Sequence, residues 1–192
     1  MSLARNSLMI APSSQLSTAA RTAGALHHDV DPASYRAAMR HHAGAVTILS
    51  AGGPGDRTGM TATSVCSLSD TPPRLIVCVN RSASAHGLIR RTAAFGVNML
   101  HADQAELANV FAGRRGIERD DRFSDADGWL SLATGAPILK GALIGLDCEL
   151  IDEHAHDTHS IFVGAVRAMH LREGETPLIY FGGAFCGLAR RA

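Results

Sequence analysis

The chain has 192 residues, room for one domain with a sizeable core, and its 18 Lys plus Arg balance 18 Asp plus Glu, so no overall field gathers nucleic acid or an anionic membrane. Four cysteines (Cys66, Cys78, Cys148, Cys186) stand far apart without C-x-x-C spacing, which argues against a zinc ribbon or a disulfide framework and fits a reducing cytosol, with the thiols serving as small buried hydrophobes. No apolar run reaches the roughly 20 residues that span a bilayer and no signal-peptide core opens the chain, so a soluble, cytoplasmic protein is expected.

Residues 1–30 are rich in Ser, Ala and Thr and lack apolar periodicity, which predicts a flexible tail before a single domain over 31–192. Asp31-Pro32 opens a helix as N-cap and first helical residue, with Tyr35, Ala38, Met39 and His42 on one face and Gly44 as its stop. "AVTILSA" (45–51), the turn "GGPGD" (52–56) and the Thr/Ser-rich "TGMTATSVCSLS" (58–69) read as a hairpin. The turn lacks the Lys-Ser/Thr of a phosphate loop. "RLIVCVN" (74–80) has the continuous apolar character of a fully buried strand. A short capped helix over 82–91, a strand over 95–100 and a helix over 103–113 follow, the last with an Asp103/Glu106 capping pair and a Gly stop. Residues 114–130 are charged and irregular. Two long strands, 142–153 and 159–171, precede "LIYFGGAF"; in the first, Leu146, Cys148 and Leu150 alternate with Asp147 and Glu149. Strand-after-strand order with three short helices excludes a doubly wound sheet and predicts a mainly β chain closed as a β-barrel.

Two stretches carry candidate chemistry. In "EHAHDTH" (153–159) His154, His156, Asp157 and His159 approach the H-x-H-x-D-H pattern of dizinc hydrolases, but the Asp stands one place early and no second ligand cluster completes a site. The segment falls at the hairpin between the long strands, and no metal is expected. In 58–87, Thr61, Thr63, Ser64 and Ser67 crowd hydroxyls into extended chain, and Asn80-Arg81-Ser82 leads into a helix start near His86, Arg90 and Arg91. That helix start reads either as a phosphate cradle or as an N-cap followed by a solvated basic face. Hydroxyl donors for the edge of a flat heterocycle, followed by a phosphate cradle, suit a flavin mononucleotide.

Residues 59–67 "GMTATSVCS", 70–73 "DTPP" and 77–84 "VCVNRSAS" closely resemble the short-chain flavin reductase family, and in particular the reductase components of two-component flavin monooxygenases. Phe111-Ala112-Gly113, Arg122-Phe123, Trp129, "GAPILKGAL" (135–143), "THSIFVGAV" (158–166) and "LIYF" (178–181) extend the likeness from about Tyr35 to Leu188. The resemblance implies an FMN-binding split β-barrel with a few short helices, working as a homodimer. It implies an oxidoreductase in which NADH or NADPH reduces FMN or FAD and the reduced flavin passes to a separate monooxygenase component. By position, Thr61, Ala62, Thr63 and Ser64 would flank the isoalloxazine with Ser67 nearby. Asn80, Arg81, Ser82 and Ser84 would hold the ribityl phosphate, and His159 would contact the nicotinamide. Asp157 replaces the family's glycine at that hairpin, and "FGGAFCGL" lacks the Arg and His found around the last aromatic in relatives. Since flavin and nicotinamide carry the hydride chemistry, no acid–base triad is expected. Cys66 is expected to pack, and Phe111 and Phe185 to shield the ring. The alternative is a split-barrel sensor or carrier that binds flavin or haem without NAD(P)H turnover.

Overall fold

The computed structural model describes residues 29–124, 128–172 and 176–188; the N-terminal tail lies outside them except for its last two residues. Helix α1 (Pro32–Met39) starts where Asp31 Oδ1 accepts hydrogen bonds from the backbone amides of Ala33 (2.9 Å) and Ser34 (3.1 Å). Strands β1 (Gly44–Ala45), β2 (Thr47–Ala51), β3 (Thr58–Ala62), β4 (Val65–Asp70) and β5 (Pro73–Asn80) precede helix α2 (Ser84–Thr92). Strand β6 (Ala94–Met99), helix α3 (Ala105–Phe111) and a 3-10 turn (Arg119–Arg122) follow, then β7 (Trp129–Ser131), β8 (Pro137–Leu139), β9 (Ile144–Ala155), β10 (His159–Leu171), β11 (Leu178–Phe181) and β12 (Ala184–Gly187).

The main sheet has seven strands in the order β3-β2-β6-β9-β10-β5-β4, all pairs antiparallel. Its two outer strands, β3 and β4, are separated in sequence by Thr63 and Ser64 alone. Such a link is two residues long and cannot cross a flat seven-stranded sheet, so the sheet curls until its edges meet. Ser64 carries the β4–β5 ladder one rung beyond Val65: Cys78 N donates to Ser64 O at 3.2 Å and Ser64 Oγ donates to Cys78 O at 2.8 Å. Inside the curl, Leu49, Val77, Val79, Phe95, Val97, Cys148 and Phe162 form a core that Ala85, Leu88 and Ile89 of α2 plug from one end. Strand β2 is buried on both faces, because Val46 and Ile48 turn the other way into a second core with α3, Phe111, Phe123 and Leu178. The short sheets β1-β11-β12 and β7-β8 flank that second core.

Several local expectations change. The 58–69 stretch is not one strand: it leaves β2 at Thr63 and joins the opposite edge. Strand β5 alternates buried and half-buried positions beyond Arg74 rather than being buried throughout. None of α1 is buried, and Tyr35 is 59% exposed; the helix ends at Met39 rather than at Gly44. No side chain caps α3, because Glu106 pairs with Arg115 (2.5 Å) and Asp103 with His101 Nδ1 (2.5 Å). Gly113, at φ +76°, does supply the left-handed stop after it. Asp147 is fully buried, not solvent-facing: Thr134 donates to it through its backbone amide (2.7 Å) and its hydroxyl. The hairpin turn holds only 156–158, so His154 stands on β9, beside Asp152 at 3.1 Å.

Candidate active site

The edge-to-edge junction gathers the hydroxyl-rich stretch. Thr61 and Ala62 are half-buried and Thr63 and Ser64 exposed, because the chain here swings from one sheet edge to the other. Thr61 Oγ1 donates to Ala108 O on α3 at 2.7 Å, which aims the side chain at that helix. Thr61, Ala62 and Thr63, with Arg114, Tyr180 and Phe185, line a cavity of about 230 Å³. The Arg114 guanidinium lies 5.8 Å from the Phe185 ring centre.

The 3-10 turn Arg119–Arg122 is anchored from the β2–β3 turn, while Arg114 is held by Asn109 of α3 through its backbone amide (3.0 Å) and guanidinium (3.0 Å). Arg57 Nε and Nη2 donate to the two carboxylate oxygens of Asp120 at 2.8 and 3.1 Å, and Arg57 N donates to Oδ1 at 3.0 Å. The guanidinium also sits 5.0 Å over the Phe123 ring. Arg57 beside Asp120 holds its carboxyl down to about 2. Gly59 is demanded here by close approach: a Cβ would lie 2.7 Å from Leu49 O and 2.8 Å from the Phe111 ring.

The other half of the site is the β5–α2 junction. Asn80 Oδ1 accepts from Ser82 N (2.9 Å) and Ser82 Oγ (2.8 Å), a side-chain turn that aims the chain into α2. No side chain caps α2, whose N-cap is Ala83, so its first turn keeps amide donors for an anion. Ser82, Ser84 and Arg81 are exposed; Ser84 Oγ lies 2.6 Å from Thr58 Oγ1. Strand pairing sets His159 directly across from Asn80, and Arg81 N donates to Thr158 O at 2.9 Å. The His159 ring is exposed, with Nδ1 2.8 Å from Thr158 Oγ1.

The fold thus brings together Thr61, Ala62, Thr63, Ser64, Asn80, Arg81, Ser82, Ser84 and His159 along one seam. Ser67 stands apart, beside a hollow lined by Val65, Leu75, Met99, Leu146 and Val166. The basic face read into α2 is largely committed elsewhere: Arg90 Nε lies 2.9 Å from Glu153, Arg91 Nη2 2.7 Å from Asp56, and His86 turns inward to Ser160. Phe111 is buried against Phe123 and Trp129 and does not line the cavity, whereas Phe185 does. Cys66 and Cys186 are exposed, Cys66 because β4 is an outer strand; Cys148 is the buried thiol, pushed up to about 12 by desolvation and the neighbouring Asp147. Arg114 carried no motif that marked it beforehand, and Tyr180 stood in the "LIYF" likeness without an assigned role. Among the described residues, no three His, Cys, Asp or Glu side chains group as a metal site.

A family model described as a flavin reductase like domain matches residues 39–189. The FMN reductase (NADH) RutF 2 of Methylorubrum extorquens strain PA1 is 43% identical over 161 residues, which are 84% of this chain and 92% of that protein. BorF, the flavin reductase component of a bacterial two-component tryptophan halogenase, matches with a TM-score of 0.76 at 37% identity, covering 84% of this chain and 100% of BorF. SgcE6, an NADH:FAD oxidoreductase of Streptomyces globisporus C-1027 solved with NAD and FAD fragments, gives 0.76 at 30% identity, with 85% and 98% covered.

Proposed function

The chain belongs to the flavin reductase like domain family, and from that premise we propose that it is an NADH-dependent reductase of FMN or FAD that supplies reduced flavin to a separate flavin-dependent monooxygenase. The observation that carries this reading is the seam itself. Thr58 at the head of β3 meets Ser84 of α2 at 2.6 Å, Ser64 bonds to Cys78 of β5 at 2.8 Å, and His159 stands in register with Asn80 at the end of β5, so Thr61–Ser64, the uncapped start of α2 and His159 lie on adjoining elements.

The residues fit a flavin mononucleotide. Amides at the uncapped helix start, the Ser84 hydroxyl and the exposed Arg81 guanidinium form a donor set suited to a phosphate dianion, and the Ser82 hydroxyl can join it by leaving Asn80. The backbone of Thr61–Ser64 and the exposed Thr63 hydroxyl suit the polar edge of a flat ring, while the Thr61 and Ser64 hydroxyls are already given to backbone carbonyls. When flavin and nicotinamide are bound, a hydride with its electron pair leaves nicotinamide C4 for flavin N5, oxidising the nicotinamide and leaving the flavin reduced. The chain's task is orientation: Arg81, Ser82 and Ser84 hold the phosphate end, and His159, steadied by Thr158, places the nicotinamide. The exposed seam lets reduced flavin leave. It then serves an oxygenase component, as expected of a family whose members include reductase components of two-component systems.

The active form we propose is a homodimer working in the cytoplasm. Helix α1 supports the first part, since it presents Tyr35 and Met39 to the outside of a single chain. Four free thiols support the second; no helix among the described residues is long and apolar enough to cross a membrane. Steady-state NADH oxidation with added FMN is the test. Tight flavin binding without turnover would sink the reductase reading and leave a flavin carrier.

A further inference from the structure

One partly buried polar chain ties the start of α2 to the β9–β10 hairpin that carries His159. His86 lies in the first turn of α2, is 7% exposed, and rests its ring 5.1 Å from that of Phe162. Its Nε2 is 2.9 Å from Oγ of Ser160, a fully buried residue on β10. Ser160 Oγ donates to Glu153 Oε1 at 2.8 Å, and the second carboxylate oxygen lies 2.9 Å from Arg90 Nε. His86 Nε2 is also 3.4 Å from Glu153 Oε1. The hydrogen count closes in one direction. Ser160 gives its single proton to the carboxylate, so its oxygen accepts, and His86 Nε2 must carry the hydrogen that it receives.

Such a chain is a poor device for stability, because burying it is tolerable only when every member is paired. Its placement is what matters. His86 and Arg90 are one helical turn apart on α2 and converge on one carboxylate of β9, which fixes the helix against rotation about its own axis. Ser160 follows His159 directly, and alternation along β10 sends the two side chains to opposite faces. The same residue pair therefore anchors α2 from inside the barrel and presents His159 outside it. Ser82 and Ser84 enter α2 on the turn that His86 holds.

The geometry points to His86 as a positioning residue for hydride transfer: through Ser160 and Glu153 it fixes the start of α2 relative to the His159 hairpin, and with it the placement of nicotinamide over flavin. This rests on the reductase reading above. Placement errors of the order of 1 Å cost about 100-fold in rate when reacting atoms must be held near contact, whereas flavin affinity depends on donors that His86 does not supply.

The test is anaerobic single-turnover flavin reduction at saturating NADH, in wild type, His86→Leu, His86→Gln and Ser160→Ala, with FMN affinity from fluorescence quenching and the thermal midpoint measured beside it. His86→Leu should slow the hydride step about tenfold or more while FMN affinity stays within about twofold. NADH deuterated at C4 should then give a larger isotope effect on kcat than in wild type. His86→Gln, whose amide can donate to Ser160, should restore most of the rate. Ser160→Ala, which deletes only the middle hydroxyl, should match His86→Leu and decides the matter if the Leu variant fails to fold. Wild-type hydride rates in Ser160→Ala overturn the proposal. So does a loss that merely parallels FMN affinity and thermal midpoint, or a Gln variant no faster than Leu. A wild-type protein that oxidises no NADH with FMN would strike the reductase reading instead.

Discussion

Replacing Asp120 by Asn tests how the 3-10 turn Arg119–Arg122 is held. The carboxylate takes both forks of Arg57 and the Arg57 backbone amide, and its side chain is 33% exposed. Its acidity gives the scale. An ordinary Asp titrates near 3.9 and this one is held to about 2, a difference that corresponds to about 2.5 kcal/mol as an upper bound. Solvent screening at a one-third exposed carboxylate lowers that to about 1–2 kcal/mol. The sign follows from the depression: the stabilisation is complete above the unfolded value and is lost as pH falls from about 4 to about 2. Urea unfolding at pH 7 should therefore find Asp120→Asn less stable by about 1–2 kcal/mol. The gap to wild type should shrink to roughly half near pH 3 and close near pH 2. Equal stability at pH 7, or a gap that persists unchanged at pH 2, would refute the reasoning.

Further outcomes follow from the same geometry. His159→Ala should raise the KM for NADH about tenfold, with flavin affinity little changed; an unchanged KM removes His159 from the nicotinamide site. Gly59→Ala forces a methyl group into Leu49 O and the Phe111 ring and should cost about 1–3 kcal/mol in denaturant unfolding; a cost below about 0.5 kcal/mol would show that α3 yields freely. Iodoacetamide at pH 8 should label Cys66 and Cys186 in the native protein and Cys148 only after unfolding, since burial and Asp147 push the Cys148 thiol up to about 12. Mass spectrometry of the peptides reads this directly, and native labelling of Cys148 would contradict its burial.

The β-rich order, the turn at 52–56 and the three short helices were legible because each rests on local signals: β-branched runs, Gly-Pro punctuation and a helix start; the roles of Ala62, Ser84 and His159 came from the family resemblance alone. What the sequence concealed arises between distant segments. Asp147 has the spacing of a solvent-facing residue, yet the loop carrying Thr134 covers it. Asp103 and Glu106 have capping spacing, yet the His101 ring takes Asp103 at 2.5 Å and the Arg115 guanidinium takes Glu106 at 2.5 Å, drawing both carboxylates away from the helix end. Arg90 and Arg91 look like a phosphate-binding face until Glu153 and Asp56 arrive from other elements. Arg114, Tyr180 and Phe185 meet only because the curled sheet sets α3 beside the C-terminal hairpin.

The strand order has a consequence for how the protein comes into being. Strands β2, β3 and β6 form one block and β4 with β5 another, and within the main sheet only the β9–β10 hairpin joins them. A ribosome that has delivered everything through α3 has made both blocks, linked by Thr63–Ser64 and by the packing of α2, but not the strands that pair them into one sheet. The ligand groove should appear late, once residues 144–171 insert between the blocks and Tyr180 and Phe185 add its last wall. Closure over such sequence separations is slow. A chain stalled before that hairpin would present loose strand edges to chaperones and have no flavin groove with which to stabilise itself.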